Sequence, residues 1–539
     1  MFTFYDDELH NLILVADKSI KQIISYLSTY DYHPPLQYLL NKFCLELFGL
    51  NEFWLKAPSI LFIFLSILLC SRIVYKITGS SKAGLLCGFI SIANPLILLW
   101  GSSLRWYPLW TFLSVLSFYL TLLLLNNSRK SGKIKIQILL AITLALSLYT
   151  NYQSILVIIA LLVSVFILDL KEKDRKYIFL KKLIPAILAA VILFLPYIGS
   201  FENHLNTFLQ QNQNNKVLSQ SSPLLSGGYY IFSVLFGNSI YPWDIKFIIP
   251  FLILVITSAS IFFLKTDTLK NSLSEIKSGI LGNNKITTYL LNIFSITLFI
   301  LFLVQAAISK TLSARGFIII PLLLVTTGCV FISGVKKIKG SRLNSRILIV
   351  TLSLLFIWLI GSYNVITRQS IHKTSLMNPV VEVTSILDKT ISATGDEYII
   401  INYDPVLTYY LLKDKSLDGS EIISPYAEEI KNLLSSFNEI DYSESKKNNP
   451  GANLIYIQGF LGSLIPVKDK LDSLTSYIIN EGIQFKNSVE LGYDSDSAIK
   501  RKFFPNSEIT DYRYNMMFLK PKTEWDYNIL SAFFDLKGE

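Results

Sequence analysis

Asp6, Asp7 and Glu8 stand in a row near the start of this chain, and Asp31-x-His33-Pro34-Pro35 follows some 25 residues later. Arg105-Trp106-Tyr107, His204 and Arg315 come farther on, between long apolar runs. A carboxylate can take the proton of an attacking hydroxyl. A guanidinium can hold a phosphate through two parallel hydrogen bonds. Carboxylates and cations at a lipid–water boundary therefore suit a reaction on the anionic head of a lipid. Asp7, Glu8 and Asp6 are the candidate catalytic acids, and Asp31, His33, Arg105, Tyr107 and Arg315 the candidate substrate ligands. Each group also has a plainer reading. The acids and the prolines could form a solvated tail with a turn. Arg105 and Arg315 could be anchors that snorkel to the interface. His33 could cap a helix, and His204 reads as a surface residue. Trp106, Tyr107 and Trp110 fit an aromatic belt, although such rings also stack on sugars.

The elements that must position these groups are mostly membrane-soluble. The chain has 539 residues, 51% of them hydrophobic, and a mean hydropathy of +0.45. That composition is a polytopic membrane protein. The net charge of +10 does not point to nucleic acid, because most Lys and Arg sit in short loops between apolar segments. Four Cys and four His show no metal-ligand spacing and no disulfide framework.

Residues 9–30 and 36–50 repeat apolar side chains at helical spacing but are too polar to cross a bilayer, so they predict helices lying in the interface. About ten crossings follow, at 55–75, 83–100, 108–125, 136–150, 153–169, 183–200, 246–264, 286–308, 316–334 and 347–363, each near the ~20 apolar residues a span needs. The apolar run 136–169 is broken by Asn151, Tyr152 and Gln153, which predicts a tight hairpin. Loops 72–82, 126–135, 170–182, 265–285 and 334–346 hold 22 Lys and Arg, against 4 in the alternate loops. The positive-inside rule puts the first set in the cytoplasm and every candidate site residue outside. Loop 201–245 is expected to be part-ordered, as lids are.

After Tyr363 the composition turns soluble. Runs 397–403 and 453–459 read as strands, 405–413 and 467–480 as helices, and Met516–Leu519 as an edge strand. The chain thus divides into 1–54, a first outer loop with the acids; 55–363, a helix bundle; and 364–539, an extracytoplasmic α/β domain.

The motifs F-Y-D-D-E, D-Y-H-P-P-L-Q-Y-L-L and L-R-W-Y-P-L resemble those of the C-type (GT-C) glycosyltransferases, among them the protein O-mannosyltransferases, the lipid A aminoarabinose transferases and bacterial relatives acting on lipopolysaccharide core. S-A-R-G-F-I-I-I-P at 313–321 is similar to a late segment of that family. The resemblance implies an inverting transferase that moves a sugar from a polyprenyl-phosphate carrier to an acceptor hydroxyl on a glycan, lipid or protein, at the outer face of the cytoplasmic membrane. By that resemblance Asp7 is the base, Asp31 and His33 lie near the donor phosphate, and Arg105 meets it. The extra acid, Asp6, leaves the register open by one. Members differ in metal dependence, so a divalent metal stays open. The family also has an apolar helix before its D-E pair, which predicts one upstream of Met1. The alternatives are a lipid-linked sugar flippase, which would favour broken helices near the bilayer midplane, and a receptor whose business lies in the C-terminal domain.

Overall fold

A computed structural model describes residues 4–30, 33–126, 130–171, 178–205, 223–237, 239–240, 245–262, 266–309, 315–335, 342–367, 380–394, 398–402, 404–413, 421–424, 426–437, 453–459, 484–492 and 513–520. In chain order the first helices are α1 (Asp6–Ala16), α2 (Ile20–Tyr30), α3 (Leu36–Phe48), α4 (Glu52–Thr78), α5 (Ser81–Ile92), α6 (Pro95–Trp100), α7 (Tyr107–Asn126), α8 (Lys130–Thr150), α9 (Ser154–Lys171) and α10 (Ile178–Phe194). The chain forms two compact units. One comprises Ile20–Leu40 and Lys56–Arg368; the other comprises Met1–Ser19, Asn41–Leu55 and Gln369–Glu539.

The first unit is a helical membrane bundle. Seven helices among the described residues are long and apolar enough to cross a bilayer: Glu52–Thr78, Tyr107–Asn126, Gly132–Thr150, Ser154–Lys171, Ile178–Leu205, Ile286–Ile308 and Ser345–Ile366. Four shorter apolar helices accompany them, at Ser81–Ile92, Gly227–Phe236, Ile245–Ser260 and Ile319–Ser333. The chain is a polytopic α-helical membrane protein. The hairpin at 151–153 is present, because Asn151 Oδ1 accepts from the Gln153 N–H at 2.7 Å and restarts the chain as α9.

Three expected crossings differ. Segment 83–100 is broken, since Pro95 has no N–H to continue the helix. Asn94 caps the restart, its Oδ1 accepting from the N–H groups of Leu96 at 3.0 Å and Ile97 at 3.2 Å. The helices at 246–264 and 316–334 are shorter than a full span. The expected loop 265–285 belongs to one continuous helix, Thr266–Ser309. The expected loop 201–245 is entered by the helix ending at Leu205 and contains a second, Pro223–Phe236. The expected single helix over 9–30 is two, parted at Asp17–Ser19.

A neighbour takes up a carbonyl beside the break at Asn94, and two further bonds tie Ser239 to the helix Arg342–Ile366. Ser362 Oγ donates to the Ala93 carbonyl at 2.9 Å. Ser239 Oγ donates to the Gly361 carbonyl at 2.8 Å, and Asn364 Nδ2 to the Ser239 carbonyl at 2.7 Å. A hydrocarbon medium offers no water for such groups, so the fold must satisfy them. Gly237 closes this region at φ +87°, and a Cβ there would come within 2.5 Å of the Pro95 ring. Gly237→Ala therefore meets both a left-handed backbone and a clash. We expect it to destabilise the bundle by about 2–5 kcal/mol, read as a lowered unfolding temperature in detergent. An unchanged temperature would show that the Pro95 contact is not rigid.

The second unit carries the α/β domain. Strands β1 (Tyr398–Asn402), β2 (Glu421–Ile423), β3 (Asn453–Gly459), β4 (Gln484–Gly492) and β5 (Arg513–Lys520) form one sheet in the order β2-β1-β3-β5-β4. β2, β1 and β3 run parallel, joined by the helices Pro405–Lys413 and Ala427–Ser436. Successive residues Ile399 and Ile400 are both buried, as in a parallel sheet covered on two faces. β5 is not the expected edge strand: it lies between β3 and β4, antiparallel to both. The edges are β2 and β4, the latter a strand that its polar sequence concealed. The helix expected at 467–480 lies outside the described residues. All four cysteines are free and buried.

Candidate active site

The acids open α1. Tyr5 is extended (φ −114°, ψ 169°), and Glu8 Oε2 accepts from its N–H at 3.3 Å. Glu8 is fully buried. Its carboxylate satisfies a donor that the helix leaves unpaired, and its charge suits the positive end of the dipole. Asp7 is half-buried beside it, while His10 is exposed. The three acids are thus not equivalent surface groups. Asp6 starts the helix, and its side chain is outside what is described. Asp31 lies outside the described residues altogether.

The bundle unit holds the cations. Arg105 sits in the turn between α6 and α7 and is 8% exposed. A snorkelling anchor would reach out of the protein; this guanidinium is inside it. Three hydrogen bonds fix the turn. Ser59 Oγ of α4 donates to the Ser103 carbonyl at 2.6 Å, Gln37 Nε2 of α3 to the Leu104 carbonyl at 3.1 Å, and the Arg105 N–H to Ser103 Oγ at 3.2 Å. Gln37 lies in the first turn of α3, just after His33-Pro34-Pro35, whose prolines are buried and whose histidine is half-buried. The H-P-P segment and the Arg105 turn are therefore joined through one amide.

Trp106, Tyr107 and Trp110 form no belt. They pack inward, with ring centroids of Trp106 and Tyr107 at 4.4 Å and of Trp106 and Trp110 at 5.8 Å. The turn Arg315–Phe317 comes against the same cluster. A Cβ on Gly316 would stand 3.2 Å from both Trp106 Cη2 and Gln153 Oε1. Phe317 meets Phe302 at 5.1 Å and Tyr230 at 4.7 Å. The backbone of Arg315 thus adjoins the Arg105 turn across Trp106; its side chain is not described.

His204 is buried, against expectation. Its Nε2 pairs with the Leu27 carbonyl at 2.7 Å and its Nδ1 with the Tyr152 hydroxyl at 2.6 Å. With Nε2–H donating to the carbonyl, Nδ1 accepts from Tyr152. The histidine ties the end of α2 to the 151–153 turn.

Inside the bundle unit, then, the structure gathers the H-P-P segment, the Arg105 turn, the 151–153 turn and the Arg315 turn. The acids of α1 belong to the other unit. Gln37, Ser59, Gln153 and Gly316 were missed. Gln37 stood inside a motif already noted, and Gln153 was a polar residue in an apolar run; nothing marked Ser59. Lys56, 4% exposed and three residues before Ser59 on α4, is a buried cation the sequence reading also passed over. Among the described residues no three His, Cys, Asp or Glu side chains gather to hold a metal ion.

Residues 32–199 match the family model of dolichyl-phosphate-mannose-protein mannosyltransferases. The match includes His33, Arg105 and Tyr107 but not the acids of α1 or Arg315. Over that stretch the chain is similar to the C-type membrane glycosyltransferases, the group its motifs resemble. No curated protein matches the chain. Among solved structures it is similar to ArnT from Cupriavidus metallidurans in the apo state (11% identity over 96% of this chain and 94% of that one, TM-score 0.44). The same protein bound to undecaprenyl phosphate gives 11% identity, the same coverage and a TM-score of 0.43. The oligosaccharyltransferase of Archaeoglobus fulgidus in complex with Zn and sulfate gives 12% identity, over 85% of this chain and 65% of that one, with a TM-score of 0.41. Likenesses this distant carry no residue and no substrate across.

Proposed function

We propose that this chain is an inverting glycosyltransferase that moves a sugar from a polyprenyl-phosphate carrier to an acceptor hydroxyl at the outer face of the membrane. The observation that carries the reading is the buried Arg105 turn. It is held by the helix that follows His33-Pro34-Pro35, within the stretch that matches the mannosyltransferase family.

The chemistry follows from the groups. Asp7, as carboxylate, takes the proton of the acceptor hydroxyl while that oxygen attacks the anomeric carbon. The bond from that carbon to the phosphate oxygen breaks, and its electron pair leaves with the polyprenyl phosphate. A single displacement inverts the anomeric centre. Arg105 and Arg315, on two turns that adjoin across Trp106, are assigned to the charge that grows on the phosphate. Cations fixed before the reaction spend little on reorganisation at that moment, which makes such terms large. His33 and Tyr107 line the donor side, and Glu8 closes the helix that presents Asp7. EDTA treatment of the membranes decides whether a divalent metal takes part. The test of the reading is transfer of radiolabelled sugar from polyprenyl phosphate in membranes containing the protein, and absence of any transfer would refute it.

The break at Asn94-Pro95, with buried Ser91, Asn94 and Ser239 around it, is what a second reading as a lipid-linked sugar flippase would rest on. Flipping without transfer in sealed vesicles would favour that reading.

Sidedness has its own test. The charge split predicts that Ser392→Cys, placed in a cysteine-free region, reacts with an impermeant maleimide in intact cells. Reaction only after permeabilisation would reverse the orientation and move the site to the cytoplasm.

A further inference from the structure

We propose that Tyr410 is a positioning residue for the transfer: its hydroxyl holds the start of α1, and with it Asp7, against the C-terminal domain. The proposal rests on the reading of Asp7 as the base.

Tyr410 lies on the helix Pro405–Lys413, against which α1 packs. Its hydroxyl accepts from the Phe4 N–H at 2.9 Å and donates to Glu52 Oε1 at 2.9 Å. One oxygen thereby joins three chain segments: the residues just before α1, the start of α4 and the C-terminal domain. Phe4 is 2% exposed, and its ring meets the edge of Tyr409 at 5.6 Å. The next N–H, that of Tyr5, goes to Glu8 Oε2. Two successive backbone donors ahead of the acids are therefore held by named side chains. The far end of α1 is held as well. Lys42 Nζ donates to the carbonyls of Val15 at 3.3 Å and Ala16 at 3.5 Å, and Ser436 Oγ donates to Asp17 Oδ1 at 3.2 Å. Burial, then the charge of Glu52, push the Tyr410 hydroxyl above its ordinary range, so it stays a proton donor.

A helix clamped at both ends cannot slide or rotate, and a general base must stand within hydrogen-bond reach of its proton. Removing the hydroxyl leaves the ring packing in place and frees the Phe4 N–H. The loss should thus appear in the geometry of catalysis more than in folding.

The test is Tyr410→Phe in the full chain, in membranes and in nanodiscs. The transfer assay should show kcat about tenfold lower, with the donor KM within about twofold. Amide exchange at residues 4–9 should be about tenfold faster, the factor that one hydrogen bond gives. Glu52→Gln keeps an acceptor for the hydroxyl and should retain most of the turnover, whereas Glu52→Ala should resemble Tyr410→Phe. Wild-type kcat with wild-type exchange in Tyr410→Phe would overturn the proposal. So would a fall in kcat accompanied by faster exchange throughout the domain, which marks general unfolding. If Asp7→Asn turns over normally, the base assignment falls instead, and the exchange at residues 4–9 still decides whether Tyr410 holds the helix.

Discussion

Asp7→Asn lowers turnover by about 10²–10⁴, the range that general-base help contributes, while the protein stays folded and inserted. The amide keeps the shape of the carboxylate but cannot take the proton. The neighbours respond differently because their surroundings differ. Glu8 is fully buried and accepts from the Tyr5 N–H. Glu8→Gln keeps an accepting oxygen and loses the favourable charge at the helix start, so its cost is intermediate. Asp6→Asn costs least, because Asp6 stands one place before the D-E pair. Three equivalent surface acids would give three mild and equal effects. The assay is sugar transfer from polyprenyl phosphate, with kcat and KM separated. Wild-type turnover in Asp7→Asn sinks the base assignment. A large loss at Asp6 with none at Asp7 moves the base back by one residue.

Arg105→Ala weakens donor binding by roughly 10–100-fold, since hydrogen bonds to charged groups are worth about 1.5–3 kcal/mol. Arg105→Lys recovers part of this, because an ammonium meets a phosphate as a point charge and not as a fork. Arg105 is buried in a turn pinned from α3 and α4, so the loss comes with little movement of the backbone. The check is binding of polyprenyl-phosphate sugar to purified protein, with Arg72→Ala as control. Arg72 lies at the other end of α4 from the Arg105 turn. Equal binding by Arg105→Ala and the wild type would make Arg105 a structural cation only.

The bundle was legible because hydropathy is a one-dimensional property: an apolar run of sufficient length has few other fates. Its irregularities were legible only in part. The break at Asn94-Pro95 fell inside an expected crossing, and nothing local announced that Gly237 and Gly361 would press on the Pro95 ring. The alternation of strands and helices after Tyr363 announced an α/β domain. The place of β5 did not follow, because strand order depends on partners far apart in sequence. His204 looked like a surface residue in a polar loop; its burial depends on Leu27, 177 residues earlier. Among the candidate site residues the types were readable and the supports were not. The hydrogen bonds from Gln37, Ser59 and Tyr410 span 67, 44 and up to 406 residues, and no periodicity carries such a pairing.

The seat of α1 also sets an order in time. The residues that hold the helix with Asp7, Tyr410 and Ser436, are synthesised some 400 residues after it. At ~5–20 residues per second of translation, that interval is roughly 20–80 s. During it the bundle is already being threaded into lipid while Phe4 waits for its partner. A chain cut short before Pro405 would carry every acid and cation of the candidate site and still lack the surface on which α1 rests. Completion of the last domain would then be the event that switches the enzyme on.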